Sequence, residues 1–190
     1  MVGPRYYVMQ NTTVRNLDCL CDGVSNEHGL FLDPALQNDP VEHAYAVKRR
    51  KRPLGDWIAT TGGWLVLTER TTKLFRQFRV CDSIRWVPLT VVDRQRKALL
   101  EGTLLYGRKR WDVLDLIHSE YDYYPNTDVI CHISKWVLRP DDVPRFDVFY
   151  TDQVRWICSA RMHDAIVDEG LTGFEFHGEG EKIERWPPKR

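Results

Sequence analysis

The chain has 190 residues, 43% of them apolar and 12% aromatic, and its 27 Lys+Arg are balanced by 27 Asp+Glu. This composition predicts one domain, residues 1–190, with an ordinary packed core, and it excludes an intrinsically disordered chain. A net charge of zero argues against a constitutive nucleic-acid binder, because such proteins are distinctly basic.

Five cysteines (Cys19, Cys21, Cys81, Cys131 and Cys158) are odd in number and match no disulfide scaffold. Cys19-x-Cys21 lacks the two-residue gap of a zinc knuckle or a thioredoxin site. Reduced thiols in a cytosolic protein fit best. The opening residues carry no apolar signal core, and no apolar run reaches the ~18 residues of a membrane span. The expected location is therefore the cytoplasm, with no membrane partner, and nothing calls for a cofactor.

In chain order, Tyr6 to Val8 predicts an opening strand. Asn11 to Pro40 is rich in Asn, Asp, Gly and Pro and reads as loops around a short apolar cluster at Leu30 to Leu32. Val41 to Val47 alternates weakly, as a strand does. Lys48 to Arg52 is a basic run, read either as a nucleic-acid patch or as a solvated loop. Pro53 to Trp57 then turns the chain. Trp64 to Leu67 predicts a strand, and Thr68 is placed to cap a helix by accepting from first-turn N–H groups. Leu74, Phe75 and Phe78 form the buried stripe of that helix.

Ile84 to Val92 reads as a strand in which Pro88 requires an edge position or a bulge. Thr103 to Tyr106 and Trp111 to Ile117 are strand-like, Tyr121 to Asn126 is a loop, and Ile130 to Leu138 is the most convincing long strand. Arg139 to Pro144 turns the chain before a short strand at Phe146 to Tyr150. Ser159 caps a second helix with a stripe of Met162, Ala165 and Ile166, and Gly170 suits its left-handed stop. Phe174 and Phe176 share one face of a final strand. Residues 178–190 read as a charged, frayed tail.

The two helix starts echo each other when Thr68 is aligned with Ser159. Apolar residues lead in (Leu65, Val66 and Leu67; Trp156, Ile157 and Cys158). An arginine follows two places after the cap (Arg70; Arg161), and an apolar pair six and seven places after it (Leu74 and Phe75; Ala165 and Ile166). Strands outnumber helices. The expected class is α+β, with a mixed, mostly antiparallel sheet, a few packed helices and two strand–helix–strand units.

No nucleophile elbow, phosphate loop, dinucleotide fingerprint or zinc-protease helix occurs. The nearest approach to an active site is Asp112, Asp115, His118 and Glu120. Carboxylates clustered with a histidine can hold a divalent metal and activate water, which would make a hydrolase or nuclease. The alternative is a set of solvated acids on a half-buried element. Cys131 and His132 are adjacent on a predicted strand and face opposite sides, so they make a poor reactive pair.

Several motifs carry a family resemblance. They are Tyr6-Tyr7-Val8, Thr68-Glu69-Arg70, Val87-Pro88-Leu89, Val113-Leu114-Asp115 with Ser119-Glu120, and Ile133 with Val137-Leu138. Asp147-Val148-Phe149, Ser159 to Ile166, and Gly170 to Phe176 follow. In this order, and mainly from Leu65 to Phe176, the chain resembles the immunity proteins of bacterial polymorphic toxin systems. The nearest group is the former domain-of-unknown-function family typed by a myxobacterial immunity protein. Ala160 stands where that pattern has glutamate, which removes one capping contact. Residues 11–60 match nothing in the pattern.

The resemblance implies a non-enzymatic protein that binds a cognate antibacterial toxin and occludes it. The shared positions are caps, stops and core residues, so specificity is expected in the loops at Asn11 to Asp39, Lys48 to Trp57 and Tyr121 to Asp128. Trp57, Tyr121, Tyr123 and Tyr124 are the candidate aromatic anchors, with Asp122 and Arg50 as charge partners.

Overall fold

The structure is a computed structural model that describes residues 5–11, 21, 24–26, 41–48, 53–60, 64–107, 110–151 and 156–183. In chain order the elements are β1 (Tyr6–Asn11), β2 (Ser25–Asn26), β3 (Ala44–Val47), β4 (Trp57–Ile58), β5 (Leu65–Thr68), α1 (Glu69–Phe75), β6 (Ile84–Val92) and β7 (Ala98–Gly107). Then come β8 (Glu120–Tyr123), β9 (Ile130–Lys135), β10 (Val148–Tyr150), β11 (Trp156–Ser159), α2 (Ala160–Asp168) and β12 (Phe174–Gly178). A six-stranded sheet runs β2-β3-β6-β7-β5-β4, a four-stranded sheet runs β10-β11-β1-β12, and β8 pairs with β9 alone. All these pairings are antiparallel except β3 with β6. The class is α+β, mostly antiparallel, as the sequence predicts.

The six-stranded sheet is covered on both faces because its side chains alternate. Leu65, Leu67, Ile84 and Leu105 join one core with Phe75 of α1, Met162 and Ile166 of α2, and Phe149 and Ile157 of the four-stranded sheet. Val66, Val87, Leu89, Val91, Leu104 and Tyr106 point the other way, into a second core with Val24, Val41, Ala44 and Ile58. The β6–β7 hairpin is closed by Asp93, whose Oδ1 accepts from the N–H groups of Gln95 (2.8 Å) and Lys97 (2.9 Å). Pro88 sits one residue before the β3 pairing begins at Leu89, so its missing donor faces a locally open edge. The register shift of β6 falls instead between Val91 and Val92.

The echo between the two helix starts reaches further upstream than the sequence suggests. Asp56 precedes β4 and Asp147 precedes β10, and each of these strands pairs with the one that leads into a helix. Thr68 N donates to the Asp56 carbonyl (3.0 Å), and Ser159 N to the Asp147 carbonyl (2.8 Å). The cap hydroxyls donate to the same two carboxylates, Thr68 Oγ1 to Asp56 Oδ1 at 3.1 Å and Ser159 Oγ to Asp147 Oδ1 at 2.7 Å. Ser159 also accepts from Met162 N at 3.3 Å, which completes the expected cap. Thr68 makes no such bond; its hydroxyl meets Asp56 Oδ1 and, at 3.3 Å, the Thr71 hydroxyl instead. The capping role expected of its side chain is corrected accordingly.

Four further expectations are revised. Trp111 to Ile117 is no strand; single bridges at Trp111 and Leu114 precede a turn held by Asp115, whose Oδ1 accepts from Ile117 N and His118 N. Tyr121 to Tyr123, expected in a loop, lie in β8. The long strand expected over Ile130 to Leu138 ends at Lys135. Fraying does not begin at 178: Glu179 N bonds the Tyr6 carbonyl, Gly180 N that of Trp136 and Ile183 N that of Ser134, and Ile183 is buried. Residues 184–190 lie outside the described residues. No described helix is long and apolar enough to cross a membrane.

Candidate functional site

The segment from Asp112 to Arg139 gathers most of the residues singled out from the sequence. Its base is clamped by Arg139, whose Nη1 donates to the Leu114 carbonyl at 3.0 Å and whose Nη2 donates to the Asp112 carbonyl at 2.5 Å. Arg139 Nε pairs with Asp142 at 2.5 Å. Arg139 N bonds the Val113 carbonyl, Asp115 N bonds the Val137 carbonyl, and Ser119 Oγ accepts from Val137 N at 3.0 Å. From this base the β8–β9 hairpin extends to a tip at Tyr124 to Val129. Tyr124 N bonds the Val129 carbonyl, and Thr127 N and Oγ1 both donate to the Tyr124 carbonyl. Asn126 takes φ +61°, a left-handed turn position that asparagine tolerates better than most residues.

Tyr121 and Tyr123 are two residues apart, so they share a face of β8. Their rings meet edge-on at 5.3 Å. A hydrogen bond with the Tyr121 hydroxyl holds the Tyr123 phenol above the ordinary tyrosine range. Of the seven exposed large apolar side chains among the described residues, five lie in this segment: Leu116, Ile117, Tyr123, Tyr124 and Val129. Ile117 is 89% exposed. Water-facing side chains of this kind, concentrated in one short stretch of chain, are what a partner-binding surface presents.

The structure does not bring the acidic cluster together. Asp115 Oδ2 meets His118 Nδ1 at 2.7 Å, and that contact holds the Asp115 carboxyl below the ordinary range. Asp112 turns to Arg139 (3.4 Å) and Glu120 to Lys182 (3.6 Å). Among the described residues, no three His, Cys, Asp or Glu side chains are grouped to hold a metal ion.

The remaining candidates divide. Trp57 is no surface anchor. It is 3% exposed, packs on Phe174 with ring centroids 5.3 Å apart, and donates its indole N–H to the Trp64 carbonyl at 2.9 Å. The expected turn at Pro53 to Trp57 gives way to β4, which pairs with β5 and draws the ring inward. Arg50 and its basic neighbours at 49–52 lie outside the described residues; Lys48 bonds the Val92 carbonyl through its N–H. Tyr121 and Asp122 are half-buried on β8, while Tyr123 and Tyr124 are exposed. Cys21, Cys81 and Cys158 are buried, and burial pushes the Cys158 thiol far up, so it stays protonated.

Leu116, Ile117 and Val129 are missed by sequence reasoning. Leu116 and Ile117 read as part of a strand, and the Asp115 turn is what leaves them facing water, while Val129 is exposed at the tip of the β8–β9 hairpin.

In class, this is an α+β scaffold of two sheets and two helices, with a clamped hairpin that exposes apolar side chains. The sequence profile of the Immunity protein family (Imm11) matches residues 33–180, and the chain belongs to that family. The match takes in residues 33–60, part of the stretch that the individual motifs leave unassigned. Among curated proteins, nothing matches.

Proposed function

We propose that the chain binds a cognate antibacterial toxin in the cytoplasm of the producing cell and occludes it stoichiometrically, with no catalysis of its own. Family membership supports an immunity role. The observation that carries the placement of the binding surface is the concentration of exposed apolar side chains between Leu116 and Val129. Such a patch gains free energy when a partner removes it from water, roughly 25 cal/mol per Å2 buried. The rigid rings of Tyr123 and Tyr124 lose little conformational freedom on binding, as hot-spot residues do. Tyr121 supports Tyr123 from the same face of β8, and Asp122 supplies a charge beside them. The loops at 11–39 and 48–57 remain further contact candidates.

The test is co-expression with a candidate toxin drawn from the genes flanking this one, together with calorimetry on the purified pair. Protection of the cells and a one-to-one complex are expected. Replacing Ile117 and Tyr124 together with alanine should cost ~2 kcal/mol or more of binding. Cell death despite co-expression, with no heat of binding, would end the immunity reading. Full protection by a variant with alanine at Tyr121, Tyr123 and Tyr124 would end only the placement.

A further inference from the structure

A groove that shares no lining residue with the hairpin lies where α1 ends. It has a volume of about 730 Å3 and is lined by Arg76, Phe78, Arg79, Trp86, Phe146 and Asp82, with the backbone of Val80. Arg76 lies over the Trp86 ring at 5.4 Å. Arg161, beside the groove, lies over the Phe78 ring at 5.2 Å while it pairs with Asp147. Arg76 and Arg79 are exposed, and among the described residues neither makes an ion pair. The Trp86 ring attracts the Arg76 guanidinium through its face and leaves N–H groups for an incoming acceptor. Among the described residues, Asp82 is the one carboxylate on the lining.

We propose that this groove receives an acidic segment of the cognate toxin, with Asp or Glu carboxylates meeting Arg76 and Arg79 and apolar neighbours lying on Phe78, Trp86 and Phe146. The inference rests on the immunity reading and adds a second contact surface to it. Guanidinium groups bind carboxylates bidentately, and an aromatic floor that excludes water strengthens such a pair. Nucleic acid fits less well. The whole chain carries no net charge to attract a polyanion, and Asp82 would face its phosphates.

The experiment titrates the candidate toxin drawn from the flanking genes into wild-type chain, R76E/R79E, R76Q/R79Q and Y123A/Y124A, at two salt concentrations. Thermal melts of each free variant serve as fold controls. R76E/R79E should bind about tenfold more weakly or worse and lose most of the salt dependence, with its melting temperature unchanged. R76Q/R79Q should fall between it and wild type. Equal affinity of wild type and both arginine variants would overturn the groove while leaving the immunity reading intact. No binding by wild type would overturn both. A labelled single-stranded RNA that binds wild type and is lost in R76E/R79E would also overturn the acidic-segment assignment.

Discussion

Asp56 and Asp147 show how single carboxylates tie this fold together. Burial alone would raise the Asp147 carboxyl, but Arg161, the Arg79 N–H and the Ser159 hydroxyl together hold it below the ordinary carboxylate range. Arg161 Nη2 lies 2.5 Å from Asp147 Oδ2, and Arg79 N lies 2.9 Å from the same oxygen. A carboxylate with a depressed folded-state pKa contributes stability above its unfolded pKa of ~3.9 and loses it as pH falls through the folded value. Asp147→Asn should therefore cost about 2 kcal/mol at pH 7, a magnitude typical of hydrogen bonds to a charged group. Denaturant titrations of the two proteins should converge as pH drops below about 4. A constant gap down to pH 2 would show that the charge is not responsible. Asp56 plays a different part. Its Oδ2 accepts from Thr172 N (2.9 Å) and from Thr172 Oγ1 (3.0 Å), which draws the end of α2 onto β4. That approach is close enough to require Gly173, where a Cβ would stand 2.7 Å from the Trp57 carbonyl oxygen at φ +89°. Gly173→Ala should destabilise the chain by about 1–3 kcal/mol, measured by thermal melting.

The stretch from Ser159 to Phe176 is the element whose structure was most legible in the sequence, because each signal in it is local. Ser159 finds a first-turn N–H, and Gly170 takes φ +60°. Gly170 N bonds the Val167 carbonyl and Leu171 N bonds that of Ile166, the paired bonds of a glycine-terminated helix. Met162 and Ile166 are buried at the helical spacing. Ile166→Ala should cost roughly 2–5 kcal/mol by leaving a cavity between α2 and the sheets. Unfolding indistinguishable from wild type would refute the helix packing. Elements fixed by distant partners were less legible. Trp111 to Ile117 has strand-like composition, but Arg139, 25 and 27 residues beyond Leu114 and Asp112, clamps their carbonyls, and the Asp115 turn ends the run. Tyr121 to Tyr123 carries loop-forming neighbours, yet it pairs with β9. The burial of Trp57 depends on Phe174, far along the chain, and no local pattern encodes it. The candidate site was legible only in its tyrosines. Its aliphatic members were hidden by the same apolar character that builds a core, and the arginine groove is assembled from the end of α1, β6 and the segment before β10. Arg139→Ala should loosen the hairpin selectively: amides of Glu120 to Lys135 should exchange hydrogen faster while those of β6 and β7 keep their protection.

At the scale of the whole molecule, Ile166 serves the fold while Ile117 and Tyr124 are assigned to binding, and that division is measurable by linkage. A partner that binds only the folded chain stabilises it by RT ln(1 + [L]/Kd), about 2.7 kcal/mol when the partner is present at one hundred times Kd. Ile166 is 1% exposed and sits in the first core, so Ile166→Ala weakens folding without touching the proposed contact surfaces. Ile117 and Tyr124 are exposed, so the variant with alanine at both weakens binding with little effect on folding. Adding the candidate toxin from the flanking genes should then raise the melting temperature of Ile166→Ala by nearly as much as that of wild type. The same addition should leave the Ile117→Ala, Tyr124→Ala double variant close to its toxin-free value, although that variant starts from a normal melting temperature. Scanning calorimetry of the three proteins, with and without toxin, makes the comparison. If the double variant gains as much from the toxin as wild type does, the apolar hairpin is not where the partner binds. If Ile166→Ala gains nothing, binding depends on the core around α2, and that division fails.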